Sequence, residues 1–396
     1  MTRLDARHIH LIGIGGIGLS AIAQILIERG YEVSGSDVAV SEITEELARR
    51  GARIFIGHQA ENVQGADLVV VTSAVRGYHV EVSAAQARNI RVVKRPEFLA
   101  ELTEGYRTIA VAGTHGKTTT TAMIGQILVH GGFDPTVIVG GIVREWNSNA
   151  RAGKSDWFVL EADEYDRTFL ALRPEIAVIT NIEFDHPDIY GTLDEYAQAF
   201  WEFMNQTSEL LVLCGDEARV LATVEGLEKH SITYGLGELN EWRAFQISPN
   251  AEGGINMFVS ETRCFYGEFS LRIPGEHNAK NALAAIAVGT KIGVPMDAIR
   301  DALENFRGAA RRFEIVVEAN GIVIVDDYAH HPTEIRATLR AARERFAGRR
   351  IWAVFQPHTF SRTLALLAEF GDAFGDADRV IITDIYASRE QDDGSV

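Results

Sequence analysis

The stretch V-A-G-T-H-G-K-T-T-T-T, residues 111–121, organises the reading of everything around it. It has the form of a strand end, a glycine turn, then Lys117 and a run of threonines opening a helix. Backbone N–H groups of such a turn and of a helix N-terminus face phosphate. A lysine at this place reaches the β- and γ-phosphates of a nucleotide, and the next hydroxyl, here Thr118, is placed for Mg²⁺. Gly113, Thr114, His115, Gly116, Lys117, Thr118 and Thr119 are therefore candidate ATP contacts. The usual phosphate loop has a glycine five residues before Gly116, where this chain has Val111. The loop is two residues tighter, which sets it apart from most NTPases of that type. An ordinary glycine turn ahead of a helix is the competing reading.

A second glycine loop lies upstream. Gly13, Gly15 and Gly18 match G-x-G-x-x-G between an apolar strand (8–13) and a helix reaching about residue 29, and Asp37 follows Gly18 by 19 residues. This pattern places a diphosphate on a helix N-terminus. A nicotinamide cofactor and a UDP-sugar both satisfy it. An NAD-dependent oxidoreductase, resting on this loop and Asp37, has no use for an ATP loop in the same chain and predicts no ATP hydrolysis. The pairing of the two loops favours a nucleotide-sugar substrate.

Strands alternate with helices from residue 8 onward, which implies parallel, doubly wound α/β sheets. Runs 157–161 and 176–181 are nearly continuously apolar, as buried parallel strands are. Residues 244–273 alternate and are rich in turns, so a small antiparallel meander is expected there, and 277–306 read as helix. A hairpin (314–318 with 321–326), a helix (333–346) and strands at 350–355 and 379–383 follow. The expected domains are 1–106, 107–310 and 311–396. The last spans only 86 residues, short of the ~100–150 of a typical domain, so it is expected to be incomplete.

Carboxylates cluster at the ends of the two central strands, in E-A-D-E-Y-D (161–166) and in N-I-E-F-D-H-P-D (181–188), which offers Asp185 and His186. Mg²⁺ that accompanies a nucleotide is held at such strand ends. A solvated acidic loop is the plainer reading of the first cluster alone, but two loops converging on Lys117 strengthen the functional one. The third region carries D-D-Y-A-H-H-P (326–332), F-Q-P-H-T-F-S-R-T (355–363) and Arg311-Arg312. Their basic and imidazole groups suit a carboxylate or the γ-phosphate.

The chain of 396 residues is 46% hydrophobic and 23% charged, with net charge −17. That balance fits a soluble globular protein and argues against non-specific nucleic-acid binding. No apolar run is long enough for a membrane span. Two cysteines, Cys214 and Cys264, lack metal-type spacing, and their scarcity suits the cytoplasm.

Taken in order, G-I-G-G-I-G, G-T-H-G-K-T-T-T-T, E-A-D-E-Y-D, T-N-I-E-F-D-H-P-D, G-E-H-N-A-K-N-A-L-A-A, R-R-F-E, D-D-Y-A-H-H-P-T-E and F-Q-P-H-T-F-S-R-T resemble the Mur ligases of peptidoglycan synthesis, over essentially the whole chain. The resemblance implies three domains: Rossmann-like, central phosphate-loop α/β with the small antiparallel sheet, and Rossmann-like again, binding UDP-N-acetylmuramate, ATP and an amino acid, L-alanine, in turn. It implies an ATP-dependent ligase acting through an acyl phosphate. A salvage ligase that attaches a whole tripeptide to the same nucleotide sugar is the neighbouring alternative.

By the same resemblance Gly15, Gly16, Ile17 and Gly18 lie on the UDP diphosphate, and Asp37, Thr72 and Ser73 bound the uridine and sugar. Lys117 and Thr118 hold the ATP phosphates and Mg²⁺, and Glu161 and His186 a second metal ion. His277, Asn278 and Asn281 meet adenine, and Asp327 the ribose. Arg312 faces the γ-phosphate, Tyr328 and His330 the substrate, and His358 and Arg362 the incoming amino acid or its acyl acceptor. Lys117, His186, Arg312, His330 and His358 are the implied catalytic groups. Monomer or homodimer, without nucleic acid or membrane, is the expected state. The carbamylated lysine of several relatives has no counterpart, since 188–214 contains no lysine. Family members also continue past D-I-Y-A-S-R-E (384–390), consistent with an incomplete third domain.

Overall fold

The computed structural model describes residues 4–72, 75, 77–388, 390–392, 394 and 396. Its first sheet has five parallel strands, in the order Arg53–Ile56, Glu32–Asp37, His8–Ile12, Leu68–Val71, Arg91–Lys94. His8–Ile12 is central and buried along its whole length, which is why it reads as an unbroken run rather than an alternating one. Helix Ile17–Glu28 starts directly after the first glycine loop, at the carboxyl edge of the sheet.

The second sheet has ten strands. Its parallel centre contains Arg107–Ala112, flanked by Trp157–Glu161 and Ile176–Ile179, then Leu210–Cys214 and Ser231–Gly235. The expected meander is present as Trp242–Pro249, Ile255–Glu261 and Cys264–Leu271, all antiparallel. It does not stand apart: a short parallel pairing of Tyr234 with Trp242 joins it to the large sheet. Helices Lys117–His130 and Glu276–Ile292 pack together over this sheet, with Met123, Ile127, Leu283 and Ile286 fully buried. The expected continuous helix over 277–306 is two helices, broken at Gly293-Val294-Pro295 before Met296–Glu304. Proline has no N–H with which to continue a helical ladder.

On the far edge, strands Thr136–Val143 and Ser148–Arg151 form an antiparallel pair that packs against helix Ile17–Glu28 of the first sheet. Asn149 Nδ2 donates to the Ile17 carbonyl (2.7 Å), Ser148 Oγ donates to Gln24 Oε1 (2.6 Å), and Gln24 Nε2 donates to the Ala150 carbonyl (3.0 Å). These bonds tie the helix that follows the first glycine loop to the edge of the second sheet.

The third region holds the hairpin Glu314–Ala319/Ile322–Asp326, helix Pro332–Arg345, and the parallel pair Trp352–Phe355/Arg379–Ile382. Ile335, Leu339, Phe355, Leu366 and Phe370 form its core. Among the described residues no helix is long and apolar enough to cross a membrane. Cys214 and Cys264 are both free thiols, the first buried and the second exposed.

Candidate active site

The tight loop needs its glycines. Gly113 has φ +141°, and a Cβ there would lie 2.0 Å from Thr180 Oγ1; Gly116 has φ +80°, and its Cβ would lie 2.5 Å from Asn281 Oδ1. Both conformations are ones that L side chains avoid. The loop is pinned from below by the strand end after Ile176–Ile179. Asn181 Oδ1 accepts the His115 N–H (2.8 Å), and the Glu183 carbonyl accepts Thr114 Oγ1 (2.9 Å).

Lys117 Nζ donates to the Thr114 carbonyl (3.0 Å) and to Glu164 Oε1 (2.9 Å). Burial lowers its pKa, but Glu164 and Glu161 outweigh that and raise it, so the ammonium persists. Glu161 Oε2 accepts from Thr118 Oγ1 (3.0 Å) and from the Gly140 N–H (2.7 Å), and burial pushes its carboxyl up despite Lys117. Glu164 is buried; its Oε1 is also 3.7 Å from His186 Nε2, while among the described residues its Oε2 has no hydrogen-bond partner. For Glu164, burial is outweighed by Lys117 and then His186, and its pKa falls. For His186, burial is outweighed by Asp185 and Glu164, and its pKa rises.

The loop sits between two spaces. On one side His115, Gly116, Thr118, Thr119, His277, Asn278, Asn281, Arg312 and Asp327 line a cavity. Burial, with Lys280 and Arg312 nearby, holds His277 down at about 4, so its ring is neutral. On the other side lies a larger cleft with walls from all three regions. Gly16, Ile17, Gly18 and Thr72 come from the first, Thr114, Lys117, Thr118, Glu161 and His186 from the second, and Arg312, Tyr328, His330, His358 and Arg362 from the third.

Several expected site residues are also held by protein partners. The Gly15 N–H is given to Asp37 Oδ2 (2.8 Å), so these two brace the glycine loop from behind. Asp327 accepts the N–H groups of Phe313 and Ala329 (both 2.8 Å). Ser73 lies outside the described residues. Arg362 meets Asp185 in a two-pronged pair, Nε to Oδ1 at 2.8 Å and Nη2 to Oδ2 at 3.2 Å, with side-chain exposures of 6% and 3%. Burial would raise the Asp185 carboxyl, but His186 and Arg362 hold it well below the usual range.

Three functional neighbours were not singled out from the sequence. Glu164 lies within a quoted motif, but nothing local says that it, and not Asp163 or Asp166, takes the lysine. Arg95 lines the cleft beside Gly18 and pairs with Asp163 across the two sheets (3.1 Å). Glu334 lies 3.2 Å from His115 Nδ1 and 3.7 Å from Arg312, and its spacing four residues after His330 on a helix start was the available signal.

His115 therefore couples the loop to the third region. Burial is overcome by Glu183 and Glu334, which raise it to about 9. Against its ordinary 6.5, this contact contributes fully below pH 6.5 and is lost as pH rises through about 9. Burial is likewise outweighed at Glu183, held at about 2, so its share is present above 4.5 and lost as pH falls through about 2. Replacing His115→Gln is expected to lower stability near pH 6 by up to about 3 kcal/mol, with the deficit vanishing by pH 9 to 10 in chemical denaturation. A deficit independent of pH would refute the ion-pair account.

Three family models match the chain: the Mur ligase family catalytic domain over residues 8–107, the Mur ligase middle domain over 111–289, and the Mur ligase glutamate ligase domain over 311–395. A UDP-N-acetylmuramate–L-alanine ligase of Caldanaerobacter subterraneus subsp. tengcongensis is 45% identical over 98% of this chain and 85% of that protein. One from Geobacter sp. is 48% identical over 96% and 83%. The crystal structure of UDP-N-acetylmuramate-alanine ligase from Thermotoga maritima superposes with a TM-score of 0.83 at 34% identity, covering 96% of this chain and 86% of that one. That of a UDP-N-acetylmuramate:L-alanyl-gamma-D-glutamyl-meso-diaminopimelate ligase from Neisseria meningitides gives 0.70 at 30% identity, over 77% and 99%. With both glycine loops and the third wall matched along the whole length, the chain belongs to the Mur ligase family.

Proposed function

We propose that this chain joins L-alanine to the lactyl carboxylate of UDP-N-acetylmuramate, driven by ATP, in cytoplasmic peptidoglycan precursor synthesis. The observation that carries this reading is the shared cleft: the Gly13–Gly18 loop and the loop at Lys117 open onto one space, closed by His330, His358 and Arg362. The names of the relatives point the same way.

The nucleotide-sugar diphosphate would rest on Gly16, Ile17 and Gly18, with Arg95 beside Gly18 offering a guanidinium and Thr72 at the rim. ATP would lie with its base against His277, Asn278 and Asn281 and its phosphates over the loop, toward Lys117. Attack of the lactyl carboxylate on the γ-phosphate spreads charge over the equatorial oxygens, and positioning and fixed cations do most of the work. Lys117 and Arg312 would supply those cations. Thr118, Glu161 and His186 fit Mg²⁺ as oxygen and imidazole donors, with the unpartnered Glu164 Oε2 as a further oxygen close by. Bound there, Mg²⁺ would offset triphosphate charge.

The amine of L-alanine would then add to the acyl phosphate, forming the amide and releasing phosphate. Burial keeps His330 and His358 in the neutral form, His358 at about 4, so both can accept hydrogen bonds beside Tyr328 at the amino-acid end. Arg362, already bound to Asp185, would stand behind His358. An acyl phosphate hydrolyses readily, and a cleft walled by three regions keeps water away from it.

The test is phosphate release from ATP with UDP-N-acetylmuramate, adding L-Ala, Gly, L-Ser or tripeptide separately. Release dependent on L-Ala is expected. Release with the tripeptide alone would favour the salvage reaction named for the Neisseria structure, and no acceptor-dependent release would sink the ligase reading.

A further inference from the structure

We infer that His58, His79 and Glu81 form a binding site for one divalent ion of the zinc class, separate from the catalytic cleft. One ligand atom from each lies within 4.8 Å of the others, and none of the three lines the cleft. His58 follows strand Arg53–Ile56, His79 is the N-cap of helix Val80–Ala87, and Glu81 lies in that helix's first turn.

Three observations call for an ion. First, Glu81 is completely buried, yet among the described residues no lysine or arginine pairs with it. Its oxygens accept from Ser36 Oγ and Asn62 Nδ2 (both 2.6 Å) and lie 3.3 Å from His58 Nδ1 and 3.8 Å from His10 Nε2. Both of these hydrogen bonds are accepted by the carboxyl oxygens, as a carboxylate anion accepts them. A helix N-terminus and neutral donors satisfy such an anion only in part, and buried charges are normally paired or bound to metal.

Second, among the described residues both ring nitrogens of His79 are buried without a hydrogen-bond partner. The helix is capped by an imidazole that makes no capping hydrogen bond. Third, the His58 and His79 rings meet edge to face with centroids 4.6 Å apart, so the two imidazoles already stand together beside Glu81. Two imidazoles and a carboxylate are a ligand set suited to Zn²⁺ and its neighbours, with water completing the shell. Ser36 and Asn62 already orient the carboxylate, as outer partners do in metal sites. The other such cluster, His115, Glu183 and His331, is already engaged in the wall of the catalytic site, with Glu334 3.2 Å from His115 Nδ1.

The chelator-stripped full chain is to be titrated with Zn²⁺ by calorimetry, without nucleotide, and with Co²⁺ by visible absorption. One equivalent of Zn²⁺ and the intense bands of a four-coordinate Co²⁺ are expected. His79→Asn, which supplies a good helix cap, and His58→Asn should each weaken binding by about 100-fold or more with unchanged circular dichroism. Glu161→Gln should leave it intact. Absence of binding, equal affinity in His79→Asn, or loss with His331→Asn instead would overturn the proposal.

Discussion

Lys117→Ala is expected to lower ATP-dependent phosphate release by at least about 10³-fold, the scale on which removal of a positioned charge acts in phosphoryl transfer. Two effects add. The ammonium that meets developing phosphate charge is gone. In addition the buried Glu164 and the half-buried Glu161 lose their counter-charge, which leaves repulsive carboxyl groups beneath the triphosphate. Turnover should fall and the requirement for ATP should rise together. UDP-N-acetylmuramate binding, measured by calorimetry without ATP, should stay nearly unchanged, because the Gly13–Gly18 loop belongs to another sheet. Loss of both activities would contradict the assignment of two loops to two ligands.

The second large effect is expected at Arg362. Arg362→Ala leaves the Asp185 carboxylate buried beside His186 and Glu164 with no guanidinium. Breaking a buried pair by removing one partner costs about 3–5 kcal/mol. Asp185 belongs to the central region and Arg362 to the third, so the cost falls on their docking. Hydrogen exchange should rise selectively over helix Pro332–Arg345 and its neighbours, and ligase turnover should drop with it. Arg362→Lys should restore little, since an ammonium cannot make both bonds to Asp185 at once. Unaltered exchange in Arg362→Ala would show that the pair does not hold the two regions together.

Parts of this site that lie close together in sequence were legible. The tight loop at 113–118, the glycine loop at 13–18 and the meander over 244–273 each follow from residue type and spacing. Their chemistry is carried by groups a few residues apart on one backbone turn. Glu164, Arg95 and Glu334 were not legible in the same way. Each acts on a partner 47 to 219 positions distant, as in Lys117–Glu164 and His115–Glu334. No local periodicity encodes which of several carboxylates meets which cation. The fold also gives Asp37 a contact that the motif does not state, with its Oδ2 accepting the Gly15 N–H.

The sequence by itself determined the glycine turns, the helix starts and the α/β class, because these are short-range consequences of residue type, while the family was read from the resemblance of its ordered motifs. Only the tertiary structure decided that the two loops share one cleft. That depends on helix Ile17–Glu28 packing on strands Thr136–Val143 and Ser148–Arg151, and on Arg362 reaching Asp185. Such contacts are selected by shape and by the cost of leaving buried polar groups unpaired, and both are properties of the assembled fold.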